Sequence, residues 1–239
     1  MKADSFLKKK NNSFFFIIRK NIFVKYFQQK LIEKVNRVPK TLFNKSRKSI
    51  LCTRYSALKT VVQNRSENTI ILSTTGKTGR ELFQIEDSPQ NFYMVGSMGC
   101  ISSIGLGLAT ERKEHRIIVI DGDGSLLMRF GSLATNAYYS PPNMLHILLD
   151  NNCHDSTGGQ ETVSECIDFV TISSAAGYKH SVYVHDVKEL DQRIRIWEKK
   201  LGLTFLYLKI KKGSLKDLGR PDVKPHFVKE RIMKFLNKK

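Results

Sequence analysis

The spacing of hydrophobic residues changes at about residue 55, where short apolar runs begin to alternate with amphipathic stretches. The apolar runs predict strands at 69–73, 92–95, 116–120, 144–149, 181–184 and 204–210. The amphipathic stretches predict a short helix from residue 80, helices through 104–109 and from 125 to about 139, and further helices at 169–176 and 187–200. The run at 116–120 is almost entirely β-branched, as in strands buried on both faces of a parallel sheet. The pattern therefore predicts an α/β fold with a largely parallel sheet.

The formal net charge of +18 is concentrated at the two ends of the chain. Residues 1–50 carry +12 and residues 209–239 carry +8, whereas residues 51–208 carry −2. We therefore expect a basic N-terminal arm at 1–55, poorly ordered or helical, and one domain at 56–239. The apolar run at 14–18 is short and lacks a cleavage site of small residues, which disfavours a secretory signal. Two other interpretations of this arm stay open, a transit peptide and a membrane-surface helix.

Cysteine spacing and hydropathy limit the classes of protein further. Cys52, Cys100, Cys153 and Cys166 have neither the CxxC spacing nor the Cys/His spacing of zinc sites. We expect free thiols in a reducing compartment, and hence a cytoplasmic protein. The sequence contains no apolar stretch of 18 or more residues, so no membrane-spanning helix is predicted. The basic ends could bind nucleic acid or a membrane surface, but no helix-turn-helix, zinc or RNA-reading motif supports such a module.

Two predicted strands end in oxygen-bearing side chains. Asp123 follows the strand at 116–120, and Asn151 follows the strand at 144–149, 28 residues later. That separation is about one βαβ unit of roughly 30 residues, so the two strand ends can be neighbours. A carboxylate and an amide oxygen suit a hard cation such as Mg²⁺, which commonly bridges to phosphate.

The residues around Asp123 favour a bound anion. Gly122 and Gly124 remove Cβ atoms that would keep a phosphate away, and Ser125 begins a predicted helix whose N-terminal amides favour negative charge. Other phosphate motifs do not fit, because Leu127 replaces the third glycine of GxGxxG and the GKT at 76–78 lacks the earlier P-loop glycine. These residues therefore predict a binding site for a Mg²⁺-bridged diphosphate.

With these residues identified, a family resemblance is evident. The GDGS at 122–125 and the NN at 151–152 resemble the metal and diphosphate motif of thiamine-diphosphate (ThDP) enzymes. Residues from about 66 to 232 resemble the C-terminal cofactor domain of phosphonopyruvate decarboxylase and of the related sulfopyruvate decarboxylase beta subunit. The matching strings are STTGKTGRELF at 73–83, FYMVGSMG at 92–99, LDNNCHDSTGGQ at 149–160, and a tail with GRP at 219–221 and KER at 229–231. The fold implied is a ThDP-binding (PP-type) domain with helices on both faces of the sheet.

The resemblance implies roles for individual residues. Mg²⁺ would be ligated by Asp123, Asn151 and the backbone carbonyl of Cys153. The residues implied for cofactor binding are Thr75, Gly76, Lys77, Gly96, Ser97, Met98, Gly122, Gly124, Ser125, Ser156 and Thr157. His154 and Asp155 would be catalytic, where substrate and diphosphate meet.

Alternatives stay open for Met98, His154 and Arg80. Met98, which would wedge the cofactor into its bent conformer, could simply pack in the core. His154 could be a hydrogen-bonded surface-loop histidine. Lys77 and Arg80 are candidate cations for a substrate anion, although Arg80 could be an ordinary solvated helix residue.

The activity implied is decarboxylation of a 2-oxo acid with a phosphonate or sulfonate group. Phosphonopyruvate, which would give phosphonoacetaldehyde, is the first expectation, and a sulfopyruvate decarboxylase beta subunit is the alternative. Related enzymes also have a pyrimidine-binding domain that supplies an activating glutamate, whereas the first 65 residues here contain a single glutamate, Glu33. We therefore expect a hetero- or homo-oligomer in which a partner subunit supplies that domain. The remaining hypothesis is that the chain is a truncated gene product that binds the cofactor without catalysing a reaction.

Overall fold

The structure is a computed structural model that describes residues 51–237. Elements are numbered along this part of the chain. The helices are α1 (Arg54–Gln63), α2 (Lys77–Ile85), α3 (Ile101–Glu111), α4 (Asp123–Met128), α5 (Ser132–Tyr139), α6 (Phe169–Ala176), α7 (Val187–Lys199) and α8 (Pro225–Leu236). The strands are β1 (Thr69–Ser73), β2 (Asn91–Tyr93), β3 (Arg116–Gly122), β4 (Met144–Asp150), β5 (Cys153–His154), β6 (Gln160–Glu161), β7 (His180–Val184) and β8 (Thr204–Lys209).

Six of these strands form one parallel sheet in the order β2-β1-β3-β4-β8-β7. From β1 the chain moves to β2 on one side and then returns to β3 on the other side. The carboxyl ends of β1 and β3 therefore form a topological switch point, where open α/β sheets bind their ligands. The short strands β5 and β6 pair separately as an antiparallel ladder.

Helices cover both faces of the sheet, as expected. On β3, Ile118 and Ile120 belong to one hydrophobic core and Ile117 and Val119 to the other, because alternate strand residues point to opposite faces. The first core includes side chains of α1, α2 and α7, the second includes side chains of α3, α4, α5 and α6, and α8 contributes Val228 to the first and Ile232 to the second. The predicted α/β class is thus confirmed, and both faces of the central strands are buried.

Helix α3 packs very closely on the sheet through a glycine. A Cβ on Gly105 would lie 2.3 Å from Cγ2 of Val119 on β3. A larger residue at this position would push the helix away from the strand. The small residues of the predicted helix at 104–109 therefore allow the close contact.

Two helices at the ends of the described chain were not predicted. Helix α1 begins after Thr53, whose hydroxyl accepts a hydrogen bond from the backbone N–H of Ser56, and α8 has Pro225 at its first turn. Both features are ordinary helix-start signals. They lie in or near the basic ends, where charge obscured the apolar spacing. Cys52 already pairs with Ile210, so the packed structure includes the last residues of the expected arm; residues 1–50 lie outside the described residues.

Other differences from the predicted elements are small. Helix α2 begins at Lys77, three residues before the predicted start, and the helix expected from 125 to 139 is divided into α4 and α5. Within residues 51–237, no helix has the length and apolar character needed to cross a membrane.

Candidate functional site

The predicted site residues converge at the carboxyl ends of β1, β3 and β4. Strands β3 and β4 are parallel neighbours with Gly122 beside Leu149, so Asp123 and Asn151 follow adjacent strand ends. Thr74 follows β1, which pairs with the other edge of β3. The expectation that Asp123 and Asn151 follow neighbouring strands is confirmed. Both residues lie at the carboxyl ends of the strands, where the switch point also lies.

A buried hydroxyl joins three segments at this point. The Ser125 hydroxyl lies 2.7 Å from the Thr74 hydroxyl and accepts a 3.0 Å hydrogen bond from the backbone N–H of Gly99. Thr74 belongs to the loop after β1, Gly99 to the loop after β2, and Ser125 to the first turn of α4. These contacts fix the loop that follows β1 against the first turn of α4.

Asp123 is a buried carboxylate, with 2% of its surface exposed. Its Oδ2 accepts a hydrogen bond from the hydroxyl of Thr162. Burial and the nearby charge of Asp150 raise the pKa of Asp123, although the bond from Thr162 acts in the opposite direction. A cation at this position would remove much of the cost of holding the buried charge.

Asn151 is oriented by its contact with Asp155. The Asn151 side-chain N–H donates a 2.6 Å hydrogen bond to Oδ2 of Asp155, and its Oδ1 accepts a longer, 3.3 Å bond from the backbone N–H of Cys153. The Cys153 thiol donates to Oδ1 of Asp155 at 3.0 Å. Burial, and then the contact with Asp155, raise the pKa of this thiol to about 12, so it stays neutral.

Asp155 is held by four donors: Arg54, Asn151, Cys153 and the backbone N–H of Gly213. Burial alone would raise the pKa of Asp155, but the hydrogen bonds from Cys153 and Arg54 and the charge of Arg54 hold it below its ordinary value. An ionised carboxylate that accepts this many bonds positions its neighbours, and it cannot donate a proton. Its expected place beside a substrate stays a prediction.

The His154 ring packs on the glycine of the predicted diphosphate loop. A Cβ on Gly124 would lie 2.3 Å from Cε1 of His154 and 2.8 Å from its Nδ1. At Gly122, in contrast, a Cβ would meet nothing within 4 Å. Of these two glycines, Gly124 is therefore the one required for close approach to another described residue. Gly76 lies next to Ser156, since its Cβ would be 3.5 Å from the Ser156 hydroxyl.

The other predicted residues lie around this centre with fewer contacts. Gly96 and Ser97 are exposed in the loop after β2, where both have positive φ values of 66° and 41°. Met98 follows them and is half-buried. Lys77 is the first residue of α2. Burial raises the pKa of Glu81, and the charge of Lys77 opposes that rise less than the charge of Arg54 does. The Thr157 hydroxyl bonds locally to Gln160 and His154, and Thr75 lines a cavity that it shares with Gly76 and Ser156.

Sequence reasoning missed four residues of the site: Thr74, Thr162, Arg54 and Glu81. Thr74 is adjacent to the predicted Thr75, but the sequence offered no means of choosing between them. Arg54 donates a 2.5 Å bond to Asp155 and lies 3.7 Å from Glu81. Burial raises the pKa of Glu81, whose Oε2 has no hydrogen-bond partner among the described residues. Arg54 falls within the basic arm expected at 1–55, so the sequence did not connect it with the site.

The donor set at the strand ends fits Mg²⁺. One carboxylate, one amide oxygen and one backbone carbonyl are hard oxygen ligands. Residues 51–237 contain no group of three or more His, Cys, Asp or Glu side chains suited to a metal. The donor set proposed here would not appear as such a group, because Asp123 is its one side chain of those types. An ion held by so few protein groups would complete its shell with phosphate and water oxygens.

Comparisons with known proteins agree with this geometry. Residues 74–207 match the family described as thiamine pyrophosphate enzyme, C-terminal TPP binding domain. A phosphonopyruvate decarboxylase from Streptomyces hygroscopicus is 44% identical over 186 residues, covering 77% of this chain and 45% of that protein. The chain thus spans about half the length of this relative.

A second relative matches over most of its length. The sulfopyruvate decarboxylase subunit beta of Methanothermobacter thermautotrophicus is 38% identical over 168 residues, which are 69% of this chain and 88% of that protein. Benzoylformate decarboxylase from Polynucleobacter necessarius has the same fold, with a TM-score of 0.59 at 15% identity over 67% of this chain and 33% of that chain. A domain of this family binds thiamine diphosphate, so the cofactor expected from GDGS agrees with the match. The chain belongs to the thiamine pyrophosphate enzymes, through their C-terminal TPP-binding domain.

Proposed function

We propose that this chain, together with a partner subunit, catalyses the Mg²⁺-dependent, ThDP-dependent decarboxylation of a 2-oxo acid that bears a phosphonate or sulfonate group. The observation that carries the proposal is the convergence of Asp123, Gly124 and Asn151 at the adjacent ends of β3 and β4. The Streptomyces and Methanothermobacter relatives supply the substrate classes. Phosphonopyruvate is our first candidate substrate, and phosphonoacetaldehyde the product.

The residues at the strand ends would hold the cofactor's metal and diphosphate. Asp123 Oδ and Asn151 Oδ1 would bind Mg²⁺ together with the carbonyl of Cys153, while Ser125 and Thr75 would lie near the diphosphate. Bound thiamine diphosphate supplies an electron sink for the pair released when CO₂ leaves a 2-oxo acid. Because Asp123 is buried, bulk solvent would have little access to this metal position beyond the waters that complete the ion's shell.

The loop after β4 would act on the substrate side of the site. His154 packs on Gly124, so its ring nitrogens are close to the proposed diphosphate loop and could bind an anion or transfer a proton there. Asp155 would keep Asn151 in the orientation that binds the metal. Gly96, Ser97 and Met98 lie in the loop where the resemblance implies contacts with the aminopyrimidine.

We propose that a partner subunit supplies the pyrimidine-binding domain. The Methanothermobacter relative is named as a beta subunit, which supports this arrangement for a chain of similar extent. Sulfopyruvate is therefore the second candidate substrate. We propose a cytoplasmic location, because all four cysteines are free thiols.

The test combines cofactor binding with a turnover assay. ThDP should bind the purified chain only with Mg²⁺, and Asp123→Ala should abolish binding. Decarboxylation of phosphonopyruvate and sulfopyruvate should then require an added pyrimidine-domain subunit. Full activity of the chain alone would overturn the partner part of the proposal. Salt-sensitive nucleic-acid binding without ThDP binding would instead support an interaction module.

A further inference from the structure

A cavity of about 460 Å³ opens beside the loop that follows β1, at Thr75 and Gly76. Thr75 and Ser156 line it on the side of the cofactor residues, and the guanidinium-bearing residues Arg80 and Arg220 line it as well. The rest of the lining is mostly apolar and includes Tyr93, Met94, Val95, Pro221, Val223, Pro225 and Val228. This volume lies within the range of about 300–1,000 Å³ that is typical of small-molecule sites.

The charges that line this cavity are uncompensated. None of the described residues in its lining is an Asp or Glu. Neither the Arg80 nor the Arg220 side chain has a hydrogen bond or ion pair with another residue of 51–237. Arg54, Arg65 and Arg231 each pair with a carboxylate, whereas Arg116 and Arg129 also have no side-chain partner among residues 51–237, so the distinguishing feature of Arg80 and Arg220 is that they line the same cavity. Two unpaired cations in one cavity therefore indicate a site for an anionic ligand.

We propose that Arg80 and Arg220 form the subsite that binds the phosphonate or sulfonate group of the substrate. This inference rests on the proposed function and adds the residues that select the substrate class. A guanidinium group matches two oxygens of a tetrahedral oxyanion with two parallel hydrogen bonds, which a lysine cannot do. Arg80 is half-buried beside this apolar lining, which lowers the local dielectric and strengthens its attraction, whereas Arg220 is exposed and more strongly screened by solvent.

The two arginines come from distant parts of the chain. Arg80 lies on α2, whereas Arg220 lies in the segment between β8 and α8. Helix α8 is fixed to the loop after α2 by two 2.7 Å hydrogen bonds from Arg231 to Asp87. The C-terminal segment of the domain would thus complete the substrate site, and the domain without that segment would lose one of its two cations.

The test measures binding of a substrate analogue to the full chain loaded with ThDP and Mg²⁺. The probe is 3-phosphonopropanoate, which lacks the keto group, and calorimetry gives its dissociation constant. In Arg80→Gln and Arg220→Gln that constant should rise about ten- to hundredfold, as expected for loss of a charge-assisted bond. Arg116→Gln is the matched control, because Arg116 lies at the amino end of β3, away from the cavity. The ThDP dissociation constant should be unchanged in all three variants.

A kinetic measurement with the partner subunit adds an independent readout. The KM for phosphonopyruvate should rise in the Arg80 and Arg220 variants, whereas the KM for pyruvate, which has no second anion, should not. Arg220→Lys should restore part of the affinity, and unchanged thermal unfolding would show that the variants fold.

Two outcomes would overturn the subsite. Unchanged probe affinity would do so, and so would a parallel loss of ThDP affinity, because the arginines would then bind the cofactor's own diphosphate. Failure of the proposed function gives a different result. A wild-type chain that binds ThDP and the probe through these arginines, yet decarboxylates no 2-oxo acid with its partner, would overturn the activity and still support the oxyanion subsite.

Discussion

The side-chain amide of Asn151 donates a 2.6 Å hydrogen bond to the carboxylate of Asp155. Because the pKa of Asp155 is held below its ordinary value, this carboxylate is ionised at neutral pH and can only accept. The nitrogen end of the Asn151 amide must therefore face Asp155, which leaves the oxygen end for a cation. The residue expected to be catalytic thus determines which atom a proposed metal ligand presents.

Asp155→Asn tests this relationship. An amide at position 155 can donate as well as accept, so Asn151 could rotate and turn its nitrogen toward the metal. We expect ThDP affinity in the presence of Mg²⁺ to fall about ten- to hundredfold, as for other residues that orient metal ligands. Calorimetric titration would measure this, with exposed Asp222→Asn as the control. Wild-type affinity in Asp155→Asn would show that Asn151 needs no such orientation.

Arg54 stabilises two carboxylates, so its replacement should destabilise the fold. Arg54→Met would leave Asp155 without its cation and Glu81 with no nearby guanidinium. We expect a loss of about 3–5 kcal/mol in the free energy of unfolding, typical of breaking a buried ion pair. Urea unfolding would measure it. Arg195→Met, which breaks an exposed helix pair with Asp191, should have a far smaller effect.

Glu81→Gln should partly reverse that loss. Burial raises the pKa of Glu81, so its charged form is unfavourable in the fold, and the amide removes that charge. The stability that Glu81 contributes is fully present below its ordinary pKa and is lost as the pH rises through the higher, folded-state value. The rescue in the Arg54→Met background should therefore be larger at neutral pH than at acid pH. A double variant no more stable than Arg54→Met at neutral pH would contradict this account.

The contact between Arg231 and Asp87 should make stability depend on pH at the acid end. Burial alone would raise the pKa of Asp87, but hydrogen bonds from Arg231 and Tyr93 hold it below the ordinary 3.8. The stabilisation is therefore present above that value and is lost as the pH falls through the lower, folded-state pKa. Arg231→Gln should lower the melting temperature by about 2–4 °C at neutral pH, for a loss of about 1 kcal/mol.

The difference between wild type and Arg231→Gln should shrink as the pH falls below 3.8 and through the lower, folded-state pKa of Asp87, because Asp87 then becomes protonated in both proteins. Melting curves over this range would measure it. Lys229→Gln, an exposed change on the same helix, should leave the curve unchanged at every pH. A constant difference between wild type and Arg231→Gln would mean that the helix is held by something other than the ion pair.

The sequence predicted the strands better than the residues that position the site, such as Arg54 and Thr162, and the reason is physical. A strand buried on both faces, such as β3, has a nearly continuous apolar sequence, which predicts a strand without any knowledge of tertiary contacts. Spacing also related Asp123 to Asn151, because one βαβ unit has a characteristic length. The contact between Arg54 and Asp155 joins residues 101 positions apart, and no local pattern encodes it. Thr162, which follows β6, likewise contacts Asp123 across 39 positions of the chain.

Gly124→Ala tests the close approach of the loop after β4 to the proposed diphosphate loop. The added Cβ would lie 2.3 Å from Cε1 of His154, so the imidazole must move or α4 must shift at its first turn. We expect ThDP affinity to fall at least tenfold, since a shift of about 1 Å disrupts a positioned site.

His154→Ala in the same chain should restore cofactor affinity, because the methyl group then meets no ring. Gly107→Ala is the control, since a Cβ there meets nothing within 4 Å and alanine favours a helix by up to about 1 kcal/mol. Rescue by His154→Ala would attribute the loss to the imidazole. Loss of affinity that persists in the double variant would instead mean that the Cβ excludes the diphosphate directly.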